Sequence, residues 1–183
     1  LVDTAIRFGH KALAITDHGV VQAFPFCYDE IIEKKSDLKL ILGMEGYLIS
    51  NEDGDALREK VPHAGKIKSY HIIILVQNEI GLRNLYKLVS LSNINYLNGN
   101  GARTRPMLPR EVIQEHREGL LLGSACEIGE LYQAVEDGVS EEELEKLGSF
   151  YDYFEIQPLG NNMFLNRLGR FTIEQLQDNN RKI

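Results

Sequence analysis

An α/β fold is what the 183 residues predict, and three observations carry that expectation. Short apolar runs recur at residues 12–15, 38–42, 72–76 and 120–122, each of strand length. Between them lie longer stretches with apolar side chains at three- and four-residue spacing, which is the mark of amphipathic helices. Each run also has a metal-competent side chain beside it, in the order His18, Glu45, His71 and Cys126. Sites in α/β proteins are built at strand ends, so this placement bears on function as well as on fold.

The elements follow in order. Leu1, Ala5, Ile6 and Phe8 fit one face of a helix that ends at Gly9. Four consecutive apolar residues at 12–15 suit a strand covered on both faces, and Gly19 frees the chain to turn after Thr16-Asp17-His18. Residues 20–35 read as a helix with Pro25 in its first turn and an acidic-then-basic order that suits the helix dipole. Ser36-Asp37 is a turn, and the strand from Leu38 runs to Gly43-Met44-Glu45, completing a parallel, right-handed strand–helix–strand unit with Glu45 just past the strand. Residues 51–69 are polar, contain Gly54, Pro62 and Gly65, and read as a loop carrying a solvated His63.

His71 precedes the next strand, and the spacing of Ile80, Leu85, Leu88 and Leu91 predicts a long helix from 79 to about 94. Residues 95–109 read as an exposed linker that includes the basic patch Arg103-Thr-Arg105. Pro109 opens a short helix that closes before Gly119, with His116 placed to complement its dipole. Strand 120–122 delivers Cys126, helices are expected at 128–135 and 141–150, a strand bearing Glu155 at 153–157, and one closing helix at 161–183.

Composition narrows the function classes. A hydrophobic content of 43% supports a real core in one domain, and a net charge of −7 disfavours strong binding to a phosphate backbone by this chain alone. No apolar run has membrane-spanning length, so a cytoplasmic protein with no membrane partner is expected, and its two cysteines, Cys27 and Cys126, should be reduced thiols. Any one of the strand-end motifs is better read as a polar turn. Four in series instead point to a metal cluster at a barrel mouth, with zinc, manganese or iron as the ions that suit His, Glu and Cys donors.

Thr16-Asp-His18, Gly43-Met-Glu45, Tyr70-His-Ile-Ile-Ile-Leu75, Gly123-Ser-Ala-Cys126 and Tyr153-Phe-Glu-Ile-Gln-Pro158 together resemble successive motifs of the PHP domain, the polymerase and histidinol phosphatase superfamily. Gly81-Leu-Arg-Asn-Leu-Tyr-Lys-Leu-Val-Ser90 and Gly129-Glu-Leu-Tyr132 resemble the variant in PolC-type bacterial DNA polymerase III α subunits. The resemblance implies a distorted (β/α)7 barrel, here partial, so that residues 1–183 form a single incomplete PHP domain. It implies His18, Glu45, His71 and Cys126 as metal ligands, with Asp17 supporting them; beside it, the strand position of Glu155 suits a supporting role, and the basic patch reads as a weak nucleic-acid contact through Arg103 and Arg105. The opening His-x-His and closing Asp-x-His pairs of the family would lie outside this chain, which makes the isolated chain an expected non-enzyme. The parent would be a magnesium-dependent polymerase that meets DNA and replisome subunits, and 51–69 marks the place where relatives often carry an exonuclease. A stand-alone phosphoesterase resembling histidinol phosphatase is the alternative, and a metal-free scaffold against the polymerase core is a third reading.

Overall fold

The computed structural model describes residues 1–60, 67–99, 101 and 104–183, and these are mixed α/β. Among the described residues six strands, β1 (Ala12–His18), β2 (Lys39–Ile49), β3 (Tyr70–Val76), β4 (Leu97–Asn98), β5 (Arg105–Pro109) and β6 (Leu120–Gly123), form one open sheet in the order β4-β5-β2-β3-β6, with β1 joined to β2 beside that path; the sheet does not close into a barrel. The residues divide into two units, one of 1–69 and 73–121 and the other of 70–72 and 122–183.

In the first unit, α1 (Val2–Arg7) and α2 (Ala23–Glu33) flank β1 (Ala12–His18). Val2, Ala5 and Leu38 are buried together, with Ile6, Leu13, Cys27 and Ile31 against them. β1 runs parallel to β2 (Lys39–Ile49), in register from Ala12 opposite Lys39 to His18 opposite Glu45. That confirms the parallel unit but corrects two details. β1 is not covered on both faces, because Ala12 and Ala14 are exposed and only Ile15 is buried. Glu45 lies inside β2 and not beyond it, since β2 goes on to pair with β5 (Arg105–Pro109) from Tyr47 to Ile49. α2 also has no acidic residue in its first turn and no basic residue in its last, so the expected match to the helix dipole is absent.

Residues 51–69 are not loop throughout, because α3 (Asn51–Arg58) begins where the Ser50 hydroxyl accepts from Asp53 N–H. Gly54 explains the helix's seat: a Cβ there would come within 2.4 Å of Pro109 Cγ. The expected linker at 95–109 is instead an antiparallel pair, β4 (Leu97–Asn98) with β5, and Tyr96 and Met107 join Tyr47, Ile49 and Ile67 in a buried cluster. α4 (Glu79–Asn95), capped by Asn78, runs as expected after β3 (Tyr70–Val76). Its Gly81 is pressed on the turn between α5 (Arg110–Glu115) and β6 (Leu120–Gly123): a Cβ would stand 1.8 Å from Gly119 O.

The second unit carries α6 (Glu130–Asp137), α7 (Glu141–Gly148), α8 (Leu159–Arg167) and α9 (Ile173–Lys182). The single closing helix expected at 161–183 is instead two: the chain breaks at Gly169, φ +70°, and restarts at Thr172, whose side chain and that of Gln175 form a capping box. Residues 153–157 are extended, with burial alternating along them, but only Tyr153 makes a bridge, to Gly123, so no strand forms there. Leu131, Val135, Leu165 and Leu176 are buried around a polar group in which Asn162 donates to Tyr132 Oη at 3.2 Å. Glu136 joins that group with a side chain 6% exposed, accepting from Gln133 at 3.1 Å and facing Arg170 at 3.6 Å. No helix among the described residues is long and apolar enough to cross a membrane, and both cysteines are free thiols.

Two expectations follow from this packing. Gly81→Ala should lower stability by about 1–3 kcal/mol, because the added methyl meets backbone that cannot step aside. Gly160→Ala in α8, with open space at the Cβ position, should raise it by about 0.4–1 kcal/mol. Denaturant unfolding of both variants checks the contrast. Burial holds the Glu136 carboxyl above its ordinary value, with Arg170 partly offsetting it. The folded chain therefore keeps a proton that the unfolded chain releases, so this contribution is complete at acid pH and is lost as pH rises through the folded value. Glu136→Gln should melt higher than the parent at alkaline pH and close to it at acid pH; melts in which the two stay parallel would refute the assignment.

Candidate metal centre

The first unit supplies one donor pair. Parallel register sets His18 opposite Glu45, and their nearest atoms, His18 Nε2 and Glu45 Oε2, are 3.7 Å apart. His18 is 57% exposed and Glu45 18%, so the imidazole is open to a ligand while the carboxylate is mostly sheltered. The Tyr47 ring, two residues along β2 on Glu45's face, stacks on the His18 ring with 6.0 Å between centroids and 16° between planes. Asp17 has a different role, its Oδ2 accepting from Ala23 N–H at 3.0 Å and so tying the strand end to the first residue of α2.

The second unit supplies another. His71 Nδ1 and Cys126 Sγ are 3.6 Å apart. His71 is held by its backbone, which donates to Ile128 O at 3.1 Å and bridges to Gly129. Cys126 rides a tight turn in which Gly129 N–H donates to Cys126 O at 2.8 Å, and a Cβ on Gly129 would lie 2.0 Å from Ser124 O. Ala125 has φ +59°, a left-handed conformation that costs a non-glycine residue about 1 kcal/mol or more. Strain of this kind persists only where surrounding contacts impose it. Glu155 adjoins the turn, its N–H donating to Ser124 Oγ at 2.9 Å. Its carboxylate is bonded to Tyr153, whose hydroxyl is pushed well up first by burial and then by that charge. Gly123 makes room for the Tyr153 ring, since a Cβ would stand 2.3 Å from Tyr153 Cζ.

The remaining candidates separate cleanly. Arg105 is ordered by β5 and donates to Tyr47 Oη at 2.7 Å. Arg103 and His63 lie outside the described residues. His116 sits at the C-terminus of α5 with Nδ1 3.0 Å from Val112 O, as its place in the helix predicted. Cys27 is packed against the α1–α2 core, where burial and then the Asp17 charge push its thiol up.

Sequence reasoning overlooked Tyr47. The signal was available, because residues two apart on a strand share a face and Tyr47 stands two beyond Glu45. Imidazole, carboxylate and thiolate are a donor set suited to zinc, manganese or iron, so the residues present fit the metal that the motifs imply.

Over residues 1–158 the chain matches the PHP domain family. It is similar to proteins named DNA polymerase III PolC-type. That of Clostridium perfringens is 52% identical over 119 residues, 64% of this chain and 8% of the relative. That of Caldanaerobacter subterraneus is 42% identical over 134 residues, 73% and 9%. That of Streptococcus pyogenes is 34% identical over 153 residues, 84% and 9%. The chain thus spans 8–9% of the length of these curated relatives.

The Asp17 bond separates a capping from a ligating role. Asp17→Ala should cost about 1 kcal/mol of stability, and Asp17→Asn, which keeps an acceptor, much less. A metal-titration curve unchanged by Asp17→Asn completes the expectation; abolished metal uptake would make Asp17 a ligand instead.

Proposed function

The chain belongs to the PHP domain family, and from that premise we propose that it is the PHP portion of a PolC-type replicative DNA polymerase, binding divalent metal through His18, Glu45, His71 and Cys126. The similarity to PolC-type polymerases over 84% of the chain is the observation that carries the reading. The donor chemistry supports it, His18 standing 3.7 Å from Glu45 in one unit and His71 3.6 Å from Cys126 in the other. Zinc, manganese or iron suits these donors. A bound ion would supply Lewis-acid polarisation of a phosphoryl oxygen. The residues' own part is to present that ion: Glu45 from the sheltered face of β2, His18 from an exposed strand end, Cys126 from a strained turn.

In this reading the parts complete a distorted (β/α)7 barrel with segments of the parent. The parent's palm carries nucleotidyl transfer with magnesium, DNA and replisome subunits are its partners, and the cytoplasm is its place. Glu155 supports the ligands, Arg103 is a weak nucleic-acid contact, and 51–69 occupies the position of the exonuclease insertion. A stand-alone phosphoesterase is disfavoured, because the relatives that match are polymerases.

A graft tests this. Residues 1–158 replace the matching stretch of the Clostridium perfringens enzyme, and primer extension is expected to persist; a chimera that folds yet cannot extend primers would contradict it. The isolated chain with manganese or zinc should hydrolyse neither p-nitrophenyl phosphate nor an end-labelled DNA strand. Turnover that disappears in Glu45→Ala would establish the phosphoesterase instead.

A further inference from the structure

β1 and β5 succeed one another along β2. The last pair of the first ladder is His18 with Glu45, and the first of the second is Met107 with Tyr47. Gly19 closes the seam: its φ is +68°, and a Cβ there would stand 2.5 Å from Pro106 Cγ. Arg105 precedes Pro106, so its backbone lies one residue from the approach to Gly19, the residue that follows His18. The Arg105 guanidinium donates to Tyr47 Oη at 2.7 Å and stands 4.9 Å from the centre of the Tyr47 ring. Tyr47 is 6% exposed and its ring also stacks on His18, so one rigid aromatic anchors both the imidazole and the cation.

Arg105 is exposed and makes no ion pair among the described residues. One donor of its fork is used by Tyr47, and the others stay open in a plane that matches two oxygens of an oxyanion. A guanidinium ordered by a tyrosine whose ring also stacks on a histidine, and with no carboxylate partner among the described residues, is a phosphate-binding arrangement, and Arg suits it better than Lys because the fork loses little freedom on binding. In a chain of net charge −7, such a cation serves one phosphoryl group and not a long backbone track.

We infer that Arg105, held by Tyr47, binds the phosphoryl oxygens of an ester presented at the His18–Glu45 side. The inference rests on the metal reading above for the identity of that side, but Arg105's own contact is with the oxyanion. The phosphoryl group comes either as a free phosphate or as a link of a nucleic-acid strand.

The test titrates the chain with inorganic phosphate and, separately, with a short single-stranded thymidine oligonucleotide, each with and without manganese. Arg105→Ala should weaken phosphate binding about tenfold or more while holding manganese as the parent does, with Arg105→Lys between the two. Tyr47→Phe, which keeps the ring and removes only the hydroxyl, should lose part of the affinity and so guards against misfolding as the cause. An oligonucleotide that binds more tightly than phosphate, with the same dependence on Arg105, identifies a strand as the occupant; equal affinities identify the lone phosphoryl group. Failure of the metal reading shows as a parent chain that takes up no manganese, and the metal-free titration then still decides the role of Arg105. The proposal is overturned if Arg105→Ala binds phosphate within about twofold of the parent, less than one charge-assisted bond provides, or if the parent binds neither probe.

Discussion

Everything at the first donor pair depends on the register of β2. A one-residue slip in a parallel ladder would turn Glu45 to the other face of the sheet and leave His18 opposite Met44 or Gly46. The register is held from both ends. Along its first half β2 is locked by seven residue pairs with β1, and along its second by three with β5, where Tyr47, Ile49 and Met107 are buried in one cluster. Gly43 tightens the hold on the remaining side: a Cβ there would meet Ile74 O at 2.7 Å, so the backbones approach more closely than any other residue permits. Glu45 is thus positioned by packing on either side of it, which is how a polar site keeps its geometry without a loop's freedom.

The second pair is built on the opposite principle. His71 stands near the start of a strand, but Cys126 is delivered by a turn whose backbone is itself under strain at Ala125. The turn keeps its shape through Gly129 beneath Ser124, the Ser124 hydroxyl under Glu155 N–H, and Tyr153 lying over Gly123. The extended stretch 153–157 therefore acts as a brace for the thiolate turn. That gives Glu155 a structural reason to be where it is, beside any influence its charge has on a bound ion.

Much of this was legible in the sequence, and the failures have physical causes. The α/β class, β1 beside β2 in parallel, the long α4 and the cap at His116 all followed from apolar spacing and from residues that punctuate helices. What escaped was decided by partners far away in the chain. Residues 51–58 lack apolar periodicity, yet form α3 because Ser50 caps it and Gly54 lets it sit on Pro109. Arg105 looked like linker because a short run holding Pro106 and Pro109, just after a glycine-rich turn, gives no strand signal; its ladder with β2 supplies the structure. Glu45 was expected past its strand because apolar runs mark where a strand is buried, not how far it continues to pair. Of the site, the placement of His18 opposite Glu45 followed from strand-end chemistry, and the two-residue spacing put Tyr47 on Glu45's face, whereas its contact with Arg105 could be seen only once the strands were laid side by side.

Whether His18, Glu45, His71 and Cys126 serve metal is decided by cobalt(II) absorption, because a thiolate ligand and a nitrogen–oxygen ligand set leave different marks on the spectrum. The expected result is a near-ultraviolet thiolate-to-cobalt band that Cys126→Ser removes, together with visible transitions that weaken in Glu45→Gln. Cobalt bound with an unchanged spectrum in both variants, or no cobalt bound by the folded chain, would contradict it.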